Sequence, residues 1–177
     1  KQLLTQGIQA RLLCIGDIEG SNPEYYRQLC QLEIRRGLAG FVEWTGYCSV
    51  EKVSHYLRSV DIFLALQRAG VTARSTALIA ALAHGLPVVA TRGPDADQWL
   101  LESGAMVIVD PHDLAGATRA TKMLATDPKM RCQLGMQAQA LYQESFSWET
   151  ISRQFLDVVV SLVEKGNVAH SHKASET

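Results

Sequence analysis

This sequence lacks a long apolar run, a surplus of basic charge and any patterned set of cysteines. No uninterrupted apolar segment reaches the roughly 18 residues that a membrane-spanning helix needs, so no transmembrane segment is predicted. The 17 basic and 18 acidic side chains nearly cancel and leave a formal net charge of −1. Because there is no basic stripe, we do not expect nucleic acid as a partner.

The four cysteines are too irregularly spaced to form a recognisable site. Cys14, Cys30, Cys48 and Cys132 match neither a C-x-x-C motif nor a zinc-knuckle spacing. We therefore expect free thiols in a reducing compartment and no metal site built on these cysteines. The first residues also carry no signal-peptide pattern, which favours a cytoplasmic location.

Short apolar runs alternate with helical patterns along most of the chain. This alternation predicts an α/β fold with a doubly wound, Rossmann-like parallel sheet of about five strands flanked by helices. Three consecutive helices close the fold, the last of them running from Trp148 to Lys165. The predicted strands lie at residues 11–15, 41–44, 61–66, 86–90 and 105–109.

Three further predictions concern a helix start, a buried tryptophan and the end of the chain. Ser21 and Glu24 have the spacing of a capping box, which predicts a helix start beside Pro23. Trp148 is expected to be buried as the core anchor of the last helix. The polar segment at 166–177 is expected to be a disordered tail.

The run Gly70–Thr91 (GVTARSTALIAALAHGLPVVAT) is the most informative stretch. It predicts a turn, a helix from Arg74 to His84 that Gly85 stops, and a buried parallel strand. Polar side chains gather where the helix begins, at Thr72, Ser75 and Thr76. Unpaired amides and the helix dipole favour an anion there, and Arg74 adds a charged donor, so the pattern indicates a phosphate site. In the alternative interpretation, Thr72 or Ser75 only caps a buried helix.

Four glycine turns follow the carboxyl ends of predicted strands, at Gly16, Gly46, Gly70 and Gly93. Ligands of doubly wound sheets bind beyond these strand ends, so the turns should belong to one ligand-binding edge. Gly16 and Asp17 are therefore further candidates for contact with the ligand.

Five segments in order resemble the C-terminal half of group 1, family 4-like glycosyltransferases of the two-Rossmann (GT-B) architecture. They are RLLCIGD, FVEWTGYCSVEKVSHYLRSVDIFLAL, ALIAALAHGLPVVAT, GAMVIVDPHDLAGATRATKMLATDPKMRCQLG and ESFSWETISRQF. The resemblance runs from about Ala10 to about Val160.

The resemblance implies that residues 1–165 form a Rossmann-like domain that binds a nucleotide-sugar donor. It places the donor phosphates at Gly16, Asp17, Thr72, Arg74, Ser75 and Thr76, and the base at Tyr47 and Cys48, although packing on the next helix would also explain Tyr47. An N-terminal domain and the first βα unit of the donor half would be missing. The missing domain would bind the acceptor and could attach the protein peripherally to a membrane. The implied reaction is glycosyl transfer, typically retaining, with no cofactor and no metal expected, and the fragment alone would be inactive.

The sequence departs from the family at two positions. The family's donor-site glutamates, eight residues apart, would fall at Thr72 and Ala80, and neither is a carboxylate. The run is closer to a subgroup reading G-V-S-x-R-R before A-A-L-A-H-G. Catalytic residues are therefore not assigned. The alternatives are a degenerate, non-catalytic module that binds nucleotide or a partner, and a GT-B enzyme of another kind, such as a sugar-nucleotide epimerase.

Overall fold

A computed structural model describes the backbone of residues 1–174 and the side chains of residues 1–163. The predicted five strands and the three closing helices are confirmed. The strands are β1 (Leu12–Cys14), β2 (Val42–Trp44), β3 (Phe63–Ala65), β4 (Val88–Thr91) and β5 (Met106–Val109). The helices are α1 (Gln2–Thr5), α2 (Ile18–Ser21), α3 (Pro23–Arg35), α4 (Val50–Ser59), α5 (Thr76–Ala83), α6 (Gln98–Glu102), α7 (Leu114–Thr126), α8 (Pro128–Ser145) and α9 (Trp148–Ala174).

The strands form two parallel sheets rather than one. β1 pairs with β2, with Leu12 opposite Val42, and β3, β4 and β5 form a second sheet in that order. The predicted α/β class with parallel strands is confirmed. The expectation of one continuous sheet of five strands is wrong for this chain, since no hydrogen-bonded ladder joins β1 to β3 in the part that the structure describes.

The core is centred on β4 and α5. All four residues of β4 are buried, as expected for a parallel strand covered on both faces. Leu78 and Leu82 of α5 pack in one cluster with Val88, whereas Val89 packs in another with Leu124 of α7. Successive side chains of β4 thus enter separate apolar clusters, because they point to opposite faces of the sheet.

Helices α2 and α3 are capped by residues other than Ser21, the cap that the predicted capping box required. Asp17 caps α2 by accepting a hydrogen bond from the Gly20 amide at 2.8 Å, and Asn22 caps α3 by accepting one from the Tyr25 amide at 3.2 Å. The Ser21 hydroxyl instead donates to the Asp17 carbonyl at 2.7 Å. Ser21 is therefore the last residue of a short helix and cannot cap the next.

The last helix begins as predicted, but its first residue is not a core anchor. Ser147 is buried, and its hydroxyl accepts a hydrogen bond from the Thr150 amide at 3.2 Å, so the predicted cap is confirmed. Trp148 is 80% exposed, which contradicts its predicted burial. The backbone is helical through Ala174, beyond the predicted end at Lys165. Of the predicted disordered tail, residues 175–177 lie outside the described residues.

Trp148→Ala is expected to change the free energy of unfolding by less than about 0.5 kcal/mol, since the ring is mostly in solvent. Leu100→Ala is the matched comparison, because Leu100 is 0% exposed and its loss should cost about 2–5 kcal/mol. Chemical denaturation of both variants checks this. A loss above about 1 kcal/mol for the tryptophan variant would contradict its exposed position.

Candidate functional site

The loops after β3 and β4 are in backbone contact. A Cβ atom on Gly93 would lie 2.2 Å from the carbonyl carbon of Ala69 and 2.3 Å from the nitrogen of Gly70. Gly70 itself has a φ of +90°, a conformation that favours glycine. The Asp95 amide also donates to the Ala69 carbonyl at 2.9 Å. The turn that leads into α5 is therefore held against the loop that follows β4.

Asp97 fixes the segment between Gly70 and α5. Its carboxylate Oδ2 accepts a hydrogen bond from the Ala73 amide at 2.6 Å, and its own amide donates to the Val71 carbonyl at 3.0 Å. The sequence pattern alone does not predict this role. Asp97 occupies the N-cap position of α6, but its side chain makes no capping bond there. Only the fold shows that it reaches a residue 24 positions earlier.

Helix α5 begins two residues later than predicted. Ser75 is the N-cap, and its hydroxyl accepts a hydrogen bond from the Leu78 amide at 3.3 Å. The Ser75 amide donates to the Thr72 carbonyl at 3.0 Å. Ser75 therefore caps the helix, and Arg74 precedes it.

Three backbone amides at this junction remain to be considered. Those of Arg74, Thr76 and Ala77 have no protein acceptor among the described residues, whereas the amides of Ala73 and Ser75 are already paired. The unpaired amides near the start of the helix and the dipole together make this surface attractive to an anion.

The Arg74 side chain is exposed at the same junction. The ion pairs that the described side chains form lie elsewhere: Arg27–Glu24, Arg92–Asp110, Arg119–Asp113 and Arg153–Glu149. No carboxylate in the described part of the chain therefore competes with an incoming anion for this guanidinium.

The loops after β1 and β2 form a second pair. Gly16 and Gly46 form an isolated bridge, and the Gly16 amide donates to the Thr45 hydroxyl at 3.2 Å. Gly16 has a φ of +130°, and open space surrounds the position of its absent Cβ. Ligand atoms can therefore approach the Gly16 backbone, whereas the Asp17 carboxylate is occupied as the cap of α2.

The two residues proposed to contact the base follow directly. Tyr47 is 84% exposed, so the alternative that it packs on the next helix is wrong. The Cys48 thiol donates to the Gly46 carbonyl at 3.6 Å.

The structure thus brings the four turns together as two pairs, Gly16 with Gly46 and Gly70 with Gly93. Ile15, just before Gly16, packs against the core cluster that contains Val71.

Two open concavities of about 220 and 500 Å³ lie elsewhere, and neither includes a candidate residue. Their lining residues are Arg11, Gly40, Phe41, Val42 and Glu43 for the first, and Glu51, Lys52, His55 and Tyr56 for the second.

Two further polar clusters lie around Glu33 and around His84. Glu33 accepts a hydrogen bond from the Trp44 indole at 3.3 Å. Partial burial, and then the negative charge of Glu33, raise the pKa of the Cys14 thiol. His84 Nδ1 donates to the Ala80 carbonyl at 2.8 Å, and its Nε2 shares a hydrogen bond with the Ser54 hydroxyl, also at 2.8 Å. The described residues include no group of three or more His, Cys, Asp or Glu arranged to hold a metal. None of the described helices is long and apolar enough to cross a membrane.

Comparison with known proteins identifies the class of this fold. The family described as "Glycosyl transferases group 1" matches residues 1–127, and the chain belongs to that family. A curated relative is the lipopolysaccharide core biosynthesis glycosyltransferase LpsE of Rhizobium meliloti (strain 1021). It is 26% identical over 126 residues, which cover 71% of this chain and 36% of LpsE.

Solved structures share the fold. The Anabaena HepE structure in complex with UDP superposes with a TM-score of 0.73 at 20% identity, over 86% of this chain and 41% of HepE. The C-terminal domain of the group 1 glycosyltransferase LpcC from Francisella tularensis superposes with a TM-score of 0.62 at 14% identity, over 83% of this chain and 92% of that domain. The chain thus spans well under half of LpsE and HepE, but most of an isolated C-terminal domain.

Proposed function

We propose that this chain is the donor-binding half of a glycosyltransferase that transfers a sugar from a nucleoside-diphosphate sugar to an acceptor. The acceptor would be bound by a part of the protein outside residues 1–177. Membership of the family supports the reaction class. Binding of a nucleotide is supported by analogy with HepE, which was solved with UDP.

The observation that carries the proposal is the set of unpaired donors before and in the first turn of α5. The amides of Arg74, Thr76 and Ala77 point to no protein acceptor among the described residues, and the Arg74 guanidinium is exposed beside them. A diphosphate would accept hydrogen bonds from these amides and a charge-assisted pair from the guanidinium. The role of Asp97 is to hold the preceding loop still, which reduces the ordering cost of binding.

The other candidates take complementary roles in this proposal. The open backbone at Gly16 would let the donor approach, and exposed Tyr47 with the neighbouring Cys48 segment would contact the base. The reaction would retain the anomeric configuration and need no metal. The isolated chain would be inactive because it lacks an acceptor site.

Arg74→Ala in the full-length protein is expected to weaken nucleoside-diphosphate binding by about 1.5–3 kcal/mol, the range for hydrogen bonds to charged groups. The apo melting temperature should stay nearly constant or rise slightly, because a cation at a helix start is electrostatically unfavourable. Calorimetric titration of UDP, GDP and ADP into both proteins measures this.

Arg58→Ala is the matched control, since Arg58 is also exposed but lies at the end of α4. It should leave the affinity unchanged. Equal affinities of wild type and the Arg74 variant for the best nucleotide would remove Arg74 from the site.

A non-catalytic nucleotide- or partner-binding module is the second candidate. Two observations favour it. Thr72 and Ala80 occupy the positions of the family's two glutamates, so neither position supplies a carboxylate. The Asp97 carboxylate lies nearby, but it already accepts a hydrogen bond from the Ala73 amide. Assaying the full-length protein with a panel of nucleotide sugars separates the two. Nucleotide binding without turnover or donor hydrolysis would favour the module.

A further inference from the structure

Thr91 is a buried polar residue at the end of an otherwise apolar strand. It is 3% exposed and follows Val88, Val89 and Ala90, which are completely buried. Valine would fill nearly the same space, and burying a hydroxyl group costs free energy unless that group is hydrogen-bonded. Among the described residues the buried polar side chains are Thr91 and Ser147, and Ser147 is the cap of α9. The Thr91 hydroxyl therefore requires a partner that valine could not hold.

The partners of this hydroxyl lie where the chain leaves the neighbouring strand β3. The hydroxyl donates to the Gln67 carbonyl and to the Ala65 carbonyl, the latter at 3.3 Å. The Gln67 carbonyl also accepts a hydrogen bond from the Gly70 amide at 3.1 Å, which closes the turn at 67–70. Thr91 thus fixes the first turn of the β3–α5 loop, which we define as residues 66–75.

Bonds between the β3–α5 loop and the segment 91–97 fall on alternate residues of the loop. They join the Gln67 carbonyl to the Thr91 hydroxyl, the Ala69 carbonyl to the Asp95 amide, the Val71 carbonyl to the Asp97 amide, and the Ala73 amide to the Asp97 carboxylate. The two bonds in the middle use backbone amides. The bonds at the two ends use side chains, so Thr91 and Asp97 hold opposite ends of the same loop.

Hydrogen bonds rather than packing hold the beginning of this loop. Residues 66–69 are all exposed, and the first completely buried side chain of the loop is that of Val71. The far end of the loop carries Arg74, whose amide and guanidinium are donors of the candidate site. Because a loop that is already ordered does not have to be ordered by its ligand, a bond that fixes the loop also strengthens binding at its end.

We propose that Thr91 is a positioning residue for the nucleoside diphosphate: its hydroxyl orders the start of the β3–α5 loop, so that the donors around Arg74 are in place before the ligand binds. The inference rests on the proposed donor-binding function. Thr91 itself is buried and does not touch the ligand, and it acts through the Gln67 carbonyl.

Two substitutions in the full-length protein separate the hydroxyl from the rest of the side chain. Thr91→Val keeps the branched shape but loses the hydroxyl, and it should raise the dissociation constant of the best-bound nucleotide among UDP, GDP and ADP by about three- to tenfold. Thr91→Ser keeps the hydroxyl but loses a buried methyl group, so it should melt at a lower temperature and still bind like the wild type. Calorimetric titration and thermal unfolding measure the two effects.

Thr121→Val is the matched control for the loss of a hydroxyl. The Thr121 hydroxyl also donates to a backbone carbonyl, that of Ala117 at 2.8 Å, but both residues lie in α7. This variant should leave the nucleotide affinity unchanged.

Amide hydrogen exchange without nucleotide measures the order of the loop directly. The Gly70 amide should exchange about tenfold faster in the Thr91→Val variant than in the wild type, and normally in the Thr91→Ser variant. The Phe63 amide is the internal control, because it donates to the Pro87 carbonyl within the sheet and should be unaffected.

Three results would overturn the role of Thr91 and leave the proposed function standing. They are wild-type affinity in the valine variant, an equal loss of affinity in the valine and serine variants, and unchanged exchange at Gly70 in the valine variant. A wild-type protein that binds none of the three nucleotides would instead overturn the proposed function, and the role of Thr91 in binding with it.

Discussion

Gly93→Ala is expected to lower the free energy of unfolding by about 1–3 kcal/mol, the range for overpacking a closely packed site. The new Cβ would lie 2.2 Å from the carbonyl carbon of Ala69, a backbone atom that cannot rotate away. The loops after β3 and β4 must then separate. Chemical denaturation measures the loss of stability.

The same substitution should weaken nucleoside-diphosphate binding, because the loop that separates leads directly into the start of α5. Pro94→Ala is the control, since Pro94 is the exposed neighbour in the same loop. It should be close to neutral for both stability and binding. A Gly93 variant as stable as the wild type would show that the loops are not in contact in solution.

Gly135→Ala is expected to destabilise the protein although it lies inside helix α8. Glycine to alanine in an exposed helix interior normally stabilises by about 0.5–1 kcal/mol. Here the Cβ would lie 2.4 Å from the carbonyl oxygen of Gly85, at the point where the end of α5 meets α8. The expected overpacking cost of about 1–3 kcal/mol exceeds the gain in helix propensity.

Thermal and chemical unfolding of the Gly135 variant give the sign directly. Met136→Ala on the same helix is the matched control, because Met136 is 61% exposed and its loss should be nearly neutral. A Gly135 variant with a raised melting temperature would contradict the close contact between α5 and α8.

The order of strands and helices could be predicted because it depends on local patterns. The apolar runs at 61–66 and 86–90 are short and separated by helical patterns, which identifies strands without tertiary information. The start of α5 was predicted two residues early, since Arg74 fits a helix in composition. The competing cap at Ser75 decided the boundary.

The candidate site could be predicted only in part, for a physical reason. Thr72, Arg74, Ser75 and Thr76 lie within five consecutive positions, so their place near one helix start follows from the sequence. Which donors remain unpaired does not follow, because Asp97 bonds to the Ala73 amide from 24 residues away. A capping preference read from the sequence predicts a bond within the helix of Asp97 and misses this one.

The sequence by itself determined the class of the fold, the five strands and the place of the turn that leads into α5, since hydrophobic periodicity and turn residues act over a few neighbours. Tertiary structure decided the rest. Trp148 is a large aromatic residue of a type often buried, but it lies exposed at the start of α9. β1 and β3 are apolar strands, but they belong to separate sheets in the described part of the chain. Burial and strand pairing depend on which other segments are present in space, and residue type alone does not specify that.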